Sequence, residues 1–276
     1  MPELPEVETL RHDLEKEFLG RRIKQVEVTG VRSVRRLPAP AFVARLEGQK
    51  IEGVRRKGKY LLVDLGEDVL VVHLGMSGQL LKTAGKDPVA PHTHVTVTFT
   101  QGGQLRFVDP RTFGEVFVAG RAAFDDEVPE VAELGFDPLT DIMSWNAFGA
   151  MLAARKIKLK SLLMDQKFVA GIGNIYSDEI LWQAGLRYDR TSDSLTTQEV
   201  RRLYRAMLDT LQEAVKHRGS SLADQQYRDL FGAVGGFQSE HRVYAREGLP
   251  CVRCRKTVVR HKWSGRSTFL CEACQV

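Results

Sequence analysis

The chain has 276 residues, 43% of them hydrophobic, which is enough for two domains with sizeable cores. Lys and Arg outnumber Asp and Glu by 40 to 35, and the excess is uneven: eight cations and two acids lie beyond residue 240, so a basic tail follows a nearly neutral body and points to a polyanionic partner. No apolar run is long enough to span a bilayer, and the opening MPELPEVETL is acidic and not a leader, so cytoplasmic residence without membrane association is expected.

Pro5 suits a first helical turn, and Val7, Leu10, Leu14 and Phe18 recur at helical spacing until Gly20. Glu6 and Glu8 sit in the first turn, where the helix dipole favours anions. This gathers the chain terminus, Glu3 and Glu6 at one helix start. From Ile23 to about Val118 the texture is β. Val95, Val97 and Phe99 alternate with polar residues, Gln101-Gly102-Gly103-Gln104 reads as a hairpin turn, and 60–65 and 69–74 are continuous apolar runs joined by Gly66-Glu67-Asp68. Strands at this spacing predict an antiparallel sandwich or barrel. Asp125-Asp126-Glu127, Pro129 and Pro138 mark a linker. Helices follow, one over 175–184 ended by Gly185 and one opened by the capping box of Thr196 and Glu199.

Cys251, Cys254, Cys271 and Cys274 read C-x2-C-x16-C-x2-C, the spacing of a four-thiolate zinc ribbon. Four thiolates leave no open position, so one structural Zn2+ is expected; two disulfides are the alternative. Arg255, Lys256, Arg260, Lys262 and Arg266 lie between the knuckles and suit phosphate contacts.

MPELPEVET, HLGMSG at 73–78, DPRTFG at 109–114, GIGNIYSDEIL at 171–181 and the terminal ribbon together resemble the formamidopyrimidine-DNA glycosylase and endonuclease VIII family, in that family's order and over the whole chain. The resemblance implies that the initiator Met is removed and that the amine of Pro2 attacks deoxyribose C1′. An α-amino group titrates near roughly 7.7–8.0, so a neutral fraction exists at neutral pH. The resulting iminium acidifies the C2′ proton, and one amine then serves both base excision and strand cleavage. By the same resemblance Glu3 is the general acid/base. Glu6 orients the site, or serves only the helix start. Lys59, in Arg55-Arg56-Lys57-Gly58-Lys59-Tyr60, contacts the phosphate beside the lesion; Lys57 is its neighbour, and alignment on Tyr-Leu-Leu selects Lys59.

A glycosylase working at C1′ must flip its target nucleotide. The resemblance implies that Met76 and Phe113 fill the gap as apolar wedges and Arg111 bonds to the orphaned cytosine. Asn174 and Arg266 grip phosphates near the lesion, the former at a helix N-terminus. Lys156, with Arg155, Lys158 and Lys160, extends the DNA track or simply forms a solvated helix end. His92 is a DNA contact or an ordinary loop histidine. Segment 220–238 is expected to form a loop over the extruded base. Thr112, Gly265 and Ala223-Asp224-Gln225-Gln226-Tyr227-Arg228 depart from the commonest family pattern.

The expected architecture is α+β and multi-domain. An N-terminal antiparallel β-sandwich with flanking helices (1–133) carries catalysis, a helix–two-turn–helix domain (134–240) binds DNA, and a zinc ribbon (241–276) ends the chain. The implied activity is excision of oxidised purines from double-stranded DNA by a monomer, with a Pro2 Schiff base and β,δ-elimination at abasic sites. Excision of oxidised pyrimidines, as by endonuclease VIII, is the same-family alternative. A catalytically silent damaged-DNA-binding protein and a zinc-ribbon accessory factor are the alternatives from other classes.

Overall fold

In the computed structural model, which describes residues 2–222 and 226–276, the chain opens with helix α1 (Leu4–Phe18). Glu3 and Glu6 form a reciprocal capping box at its start, and Pro5 occupies the first turn, where it has no helical N–H to lose. Val7, Leu10, Leu14 and Phe18 are buried along one face. The Phe18 ring lies 4.7 Å from that of Phe99, and truncating such a side chain costs about 3–5 kcal/mol.

In chain order there follow β1 (Ile23–Val28), α2 (Ala39–Leu46), β2 (Gly53–Lys57), β3 (Tyr60–Leu65), β4 (Asp68–His73), β5 (Gln79–Thr83), β6 (Thr93–Phe99), β7 (Gln104–Val108) and β8 (Glu115–Gly120). They make two antiparallel four-stranded sheets, ordered β1-β6-β7-β5 and β2-β3-β4-β8. One core takes Val97 and Phe99 from the first sheet, Val63 and Leu65 from the second, Leu14 and Phe18 from α1, and Phe42 and Leu46 from α2. This is the expected sandwich. Helix α2 corrects the reading of 23–118 as wholly β. It is only eight residues long and starts among Pro38 and Pro40, but Phe42 and Leu46, four apart, bury its inner face.

The acidic linker contains two single turns, α3 (Phe124–Glu127) and α4 (Pro129–Ala132). Beyond it lie α5 (Trp145–Ala153), α6 (Leu159–Leu163), α7 (Asn174–Ala184), α8 (Thr197–Lys216) and the hairpin of β9 (Val259–Trp263) and β10 (Arg266–Leu270). The capping box that opens α8 is present: Glu199 accepts from the Thr196 amide at 2.8 Å, and the Thr196 hydroxyl accepts from the Glu199 amide at 3.3 Å. The chain forms two compact units, Met1–Glu133 with His217–Gly236 and Leu134–Lys216 with Phe237–Val276. The segment after α8 therefore folds with the sandwich, and the tail folds with the helices. Residues 223–225, inside the loop expected over the base, lie outside the described residues.

In the second unit Tyr176, Phe237, His241, Tyr244 and Phe269 form a ladder of rings with successive centroids 5.8, 5.7, 5.6 and 5.1 Å apart. Burial, with help from Arg246 and against a backbone bond at Tyr244, pushes the His241 pKa down to about 4. An unfolded histidine titrates near roughly 6.5. The neutral ring is thus fully stabilising above that value, and the stability is lost as pH falls towards the folded pKa. The gap is worth about 3 kcal/mol. We expect the melting temperature to fall from pH 7 to pH 4.5 more steeply in the native chain than in His241→Phe; equal slopes would show that His241 is not held neutral.

Candidate active site and nucleic-acid interface

Pro2, Glu3 and Glu6 are all buried at the start of α1, Glu3 at 2% and Glu6 at 1% exposure. Glu6 is fixed from two sides. Its Oε2 accepts the Glu3 amide at 2.7 Å, and its Oε1 accepts the Ser220 amide at 2.7 Å. Gly219 packs against the same carboxyl. A Cβ there would lie 2.6 Å from Oε1, and φ of +76° would strain any side-chain-bearing residue. Glu6 therefore does more than cap a helix: it joins the residue after Pro2 to the segment after α8.

Lys59 lies in the β2–β3 turn and is buried, whereas Lys57 is only partly so. The turn is held to α1 by Arg56, whose Nε donates to Glu8 at 2.6 Å and whose Nη1 donates to the Gly58 carbonyl at 3.0 Å. Both partners of this ion pair are buried, and removing one partner of such a pair costs roughly 3–5 kcal/mol. The pair ties the Lys59 turn to the helix of Glu3 and Glu6. His73, paired with Tyr60 across β3 and β4, is pushed down to about 4 by burial and by the Lys59 charge. A neutral imidazole therefore neighbours Lys59 at pH 7.

Met76, Arg111 and Phe113 are exposed on two turns that share one buried anchor. Asp109 Oδ1 accepts the Ser77 hydroxyl at 2.5 Å and the Arg111 amide at 3.2 Å, and Oδ2 accepts the Gly114 amide at 2.7 Å. The turns touch backbone to backbone at Gly75, where a Cβ would come within 2.5 Å of the Phe113 carbonyl. The Arg111 guanidinium stands 4.9 Å from the Phe113 ring centroid. Thr112 adopts φ +54°, an outlier for a β-branched residue, inside this doubly anchored turn. His92, at φ +61°, is exposed and its carbonyl accepts the Asp109 amide at 3.0 Å, so it belongs to the same assembly.

In the second unit, α7 presents Asn174 at its first turn. The Asn174 side chain donates to the Ser267 carbonyl at 3.1 Å, and its Oδ1 is buried without a partner. The neighbouring Arg266 is exposed beside the tight β9–β10 turn, in which Ser264 and Gly265 have φ of +46° and +77°. Gly265 thus meets a conformational need of the hairpin. Asp178, four residues along α7, is buried and accepts from Lys160 and Thr268, each at 2.6 Å, and from the Phe269 amide at 2.9 Å. Lys160 is fully buried in this cluster and cannot serve a solvent-facing DNA track; Lys156 is exposed. Glu179 is buried, which pushes its pKa up to about 7, against three backbone N–H groups of residues 242–244 that stabilise the anion. One helix thus grips both approaches to the ribbon.

The ligand atoms of Cys251, Cys254, Cys271 and Cys274 lie within 4.8 Å of one another, and none is disulfide-bonded. Cys251 and Cys274 sulfurs are 3.9 Å apart, those of Cys254 and Cys271 3.4 Å. A tetrahedral ion with about 2.3 Å bonds to sulfur requires edges of about 3.8 Å, so the four thiols fit a closed metal site.

Several of these pairings could not be read from the sequence. Glu8 and Arg56 lie 48 positions apart, and Ser77 and Asp109 lie 32 apart, so no local pattern pairs them. Asp178 and Glu179 carried a signal, since two adjacent acids within an otherwise largely apolar helix are costly when buried unless partnered.

Residues 1–116 match the family model of the formamidopyrimidine-DNA glycosylase N-terminal domain, and 134–226 match the H2TH domain of the same glycosylase. Formamidopyrimidine-DNA glycosylase of Thermus thermophilus is 44% identical over all of this chain and 98% of its own length; that of Pelotomaculum thermopropionicum is 41% identical over all of this chain and 99% of its own. The solved Thermus thermophilus MutM (Fpg) superposes with a TM-score of 0.88 at 42% identity, covering 99% of this chain and 98% of that one. The Lactococcus lactis Fpg complex with abasic-site DNA gives 0.91 at 33% identity and 99% of both chains. A second Lactococcus lactis complex, with N7-benzyl-Fapy-dG DNA, gives 0.90 at 34% over 99% of both chains. Agreement over both units, in sequence and in fold, leaves one assignment: the chain belongs to the formamidopyrimidine-DNA glycosylase family.

Proposed function

We propose that this chain is a base-excision repair enzyme that removes oxidised purines from double-stranded DNA and cleaves the strand at the resulting abasic site. The observation that carries this reading is the buried cluster of Pro2, Glu3 and Glu6 at the head of α1. Its relatives hold abasic and formamidopyrimidine lesions, and those are the substrates proposed here.

Once the initiator Met is removed, the secondary amine of Pro2 attacks C1′ and the C1′–N bond to the base breaks. Glu3 donates a proton to the opening sugar, and the nitrogen becomes an iminium. Loss of a C2′ proton expels the 3′ phosphate, and a second elimination expels the 5′ phosphate. Lys59 pairs with the phosphate beside the lesion. Glu6 orients Glu3 and the loop amide of Ser220. Met76 and Phe113 fill the vacated stack, and Arg111 bonds to the orphaned base. Residues 1–133 carry the chemistry in this reading. Residues 134–216 grip the backbone through Asn174 and Lys156, and the tail from 237 does so through Arg266, on a ribbon that one structural Zn2+ would close. His92 adds a DNA contact.

Borohydride trapping during excision tests the nucleophile. Pro2→Gly keeps a primary amine, so the trapped adduct should form at least about tenfold more slowly while duplex affinity holds. A fully active chain that retains its initiator Met would overturn the mechanism, and faster excision of thymine glycol than of 8-oxoguanine opposite cytosine would overturn the substrate class.

Ser77→Ala removes a hydrogen bond to a buried carboxylate, worth about 1.5–3 kcal/mol, from the anchor of both wedge turns. Excision from duplex should fall about tenfold, while cleavage of single-stranded abasic DNA, which has no orphaned partner, should not. Equal losses on both substrates would refute the wedge assignment.

Cys271→Ala should release the metal and weaken DNA binding together, read by metal analysis and by duplex affinity. Normal affinity in a metal-free protein would remove the ribbon from the DNA-binding surface.

A further inference from the structure

The segment His217–Gly236 folds with the sandwich unit, and its second residue has a conformation that needs explaining. Arg218 adopts φ +61°, in the left-handed region that side-chain-bearing residues rarely enter. Its guanidinium is shared between two carboxylates whose side chains are only 9% and 3% exposed, Asp13 on α1 and Asp229 at the far end of the same segment. Nε and Nη2 donate to Asp229 Oδ2 at 2.9 and 2.7 Å, and Nη1 and Nη2 donate to the two oxygens of Asp13, the former at 3.3 Å. The second oxygen of Asp229 accepts the amides of Phe231 at 3.0 Å and Ala233 at 2.9 Å, so the same carboxylate folds the turn behind it.

Residues 218 and 229 of the segment are therefore tied together, and to Asp13 on α1, by one cation. The far end is also fixed to the sheet: the Leu230 carbonyl accepts the Lys82 amide at 2.8 Å, and Tyr227 and Leu230 enter the sandwich core. The near end runs directly from Arg218 into Gly219, pressed on Glu6, and Ser220, whose amide holds Glu6 Oε1. The other Glu6 oxygen holds the amide of Glu3, the residue after Pro2. The Arg218 side chain is itself 41% exposed, so charge attraction alone is worth little, and the weight of the clamp lies in its geometry. Here two buried carboxylates converge on one guanidinium, and the backbone that carries it leads in two residues to the catalytic cluster.

We propose that Arg218 is a positioning residue for excision: by clamping Asp13 and Asp229 it sets the Gly219–Ser220 backbone against Glu6, and through Glu6 fixes the chain at Glu3 and Pro2. This rests on the reading of Pro2 as nucleophile. No pairwise pattern in the sequence announces it, since Asp13 and Arg218 are 205 positions apart.

The test uses the full chain and the variants Arg218→Gln, Arg218→Lys and Asp13→Asn. Three quantities are read: the single-turnover rate of borohydride-trapped adduct on abasic duplex, affinity for uncleavable tetrahydrofuran duplex, and deuterium uptake of the peptide spanning 216–222. Arg218→Gln should slow trapping about tenfold with affinity within about twofold, because the reacting geometry and not the duplex grip is disturbed. Uptake at 216–222 should rise while the sandwich strands stay protected, and Arg218→Lys should recover most of the rate. If Arg218→Gln is too unstable to purify, Asp13→Asn, which leaves the Asp229 pair intact, should show the same pattern at smaller amplitude. A folded Arg218→Gln with native trapping rate and native uptake would overturn the proposal. So would parallel losses of rate, affinity and melting temperature that Lys does not rescue. A native chain that yields no adduct would defeat the nucleophile reading instead, and the uptake of Arg218→Gln would still decide whether Arg218 pins Ser220.

Discussion

The carboxylate of Glu6 gives one oxygen to the Glu3 amide and the other to the Ser220 amide, both at 2.7 Å. Two segments more than 200 residues apart thereby share one rigid anion. A carboxylate this deeply buried is costly unless hydrogen bonds replace its water, and charge-assisted bonds from main-chain N–H groups are among the stronger replacements. The bonds cannot be kept if either segment moves by much. Hence the start of α1 and the residues after α8 must hold their places together, and the proposed nucleophile inherits that constraint.

Buried carboxyl groups that accept backbone amides recur at other turns of the chain. Asp109 holds amides on either side of Phe113 and the hydroxyl next to Met76. Asp178 holds the strand that follows Arg266, and Glu179 holds the approach to the first cysteine knuckle. Asp229 holds its own turn. Asp178 and Asp229 also have a cation, Lys160 and Arg218. Glu179 accepts three amides, and burial still raises it to about 7. The side chains proposed to meet DNA can stay solvated because their backbones are fixed by buried carboxyl groups.

Much of this organisation was legible in the sequence, for identifiable reasons. The period of α1, the capping box of α8, the 101–104 hairpin and the four-cysteine spacing are local patterns, and local physics enforces them. The site residues were legible only through resemblance; composition alone would have left Pro2 as an ordinary terminal residue. Helix α2 was hidden by its length and prolines. The placement of Lys160 was misread because a lysine in a basic run resembles a solvated one, whereas Asp178 eighteen residues later takes it fully inside. The carboxylate anchors were illegible because each joins residues that only the tertiary fold brings together.

That division has a consequence for how substitutions should act. Met76, Arg111, Phe113 and Arg266 are exposed and are proposed to meet DNA, so changes there should leave the backbone intact, and their effects should add for sites in different turns. Changes at Glu6, Asp109 or Asp178 leave several donors unpaired at once and displace whole turns. Their effects should therefore exceed the sum of the contacts they make in the free protein, and should couple strongly to one another where a segment is shared, as between Glu6 and Arg218. The proposed wedge, the proposed grip at Arg266 and the proposed amine differ in chemistry, but the turns that carry them are each held by a buried carboxyl group, Asp109, Asp178 and Glu6.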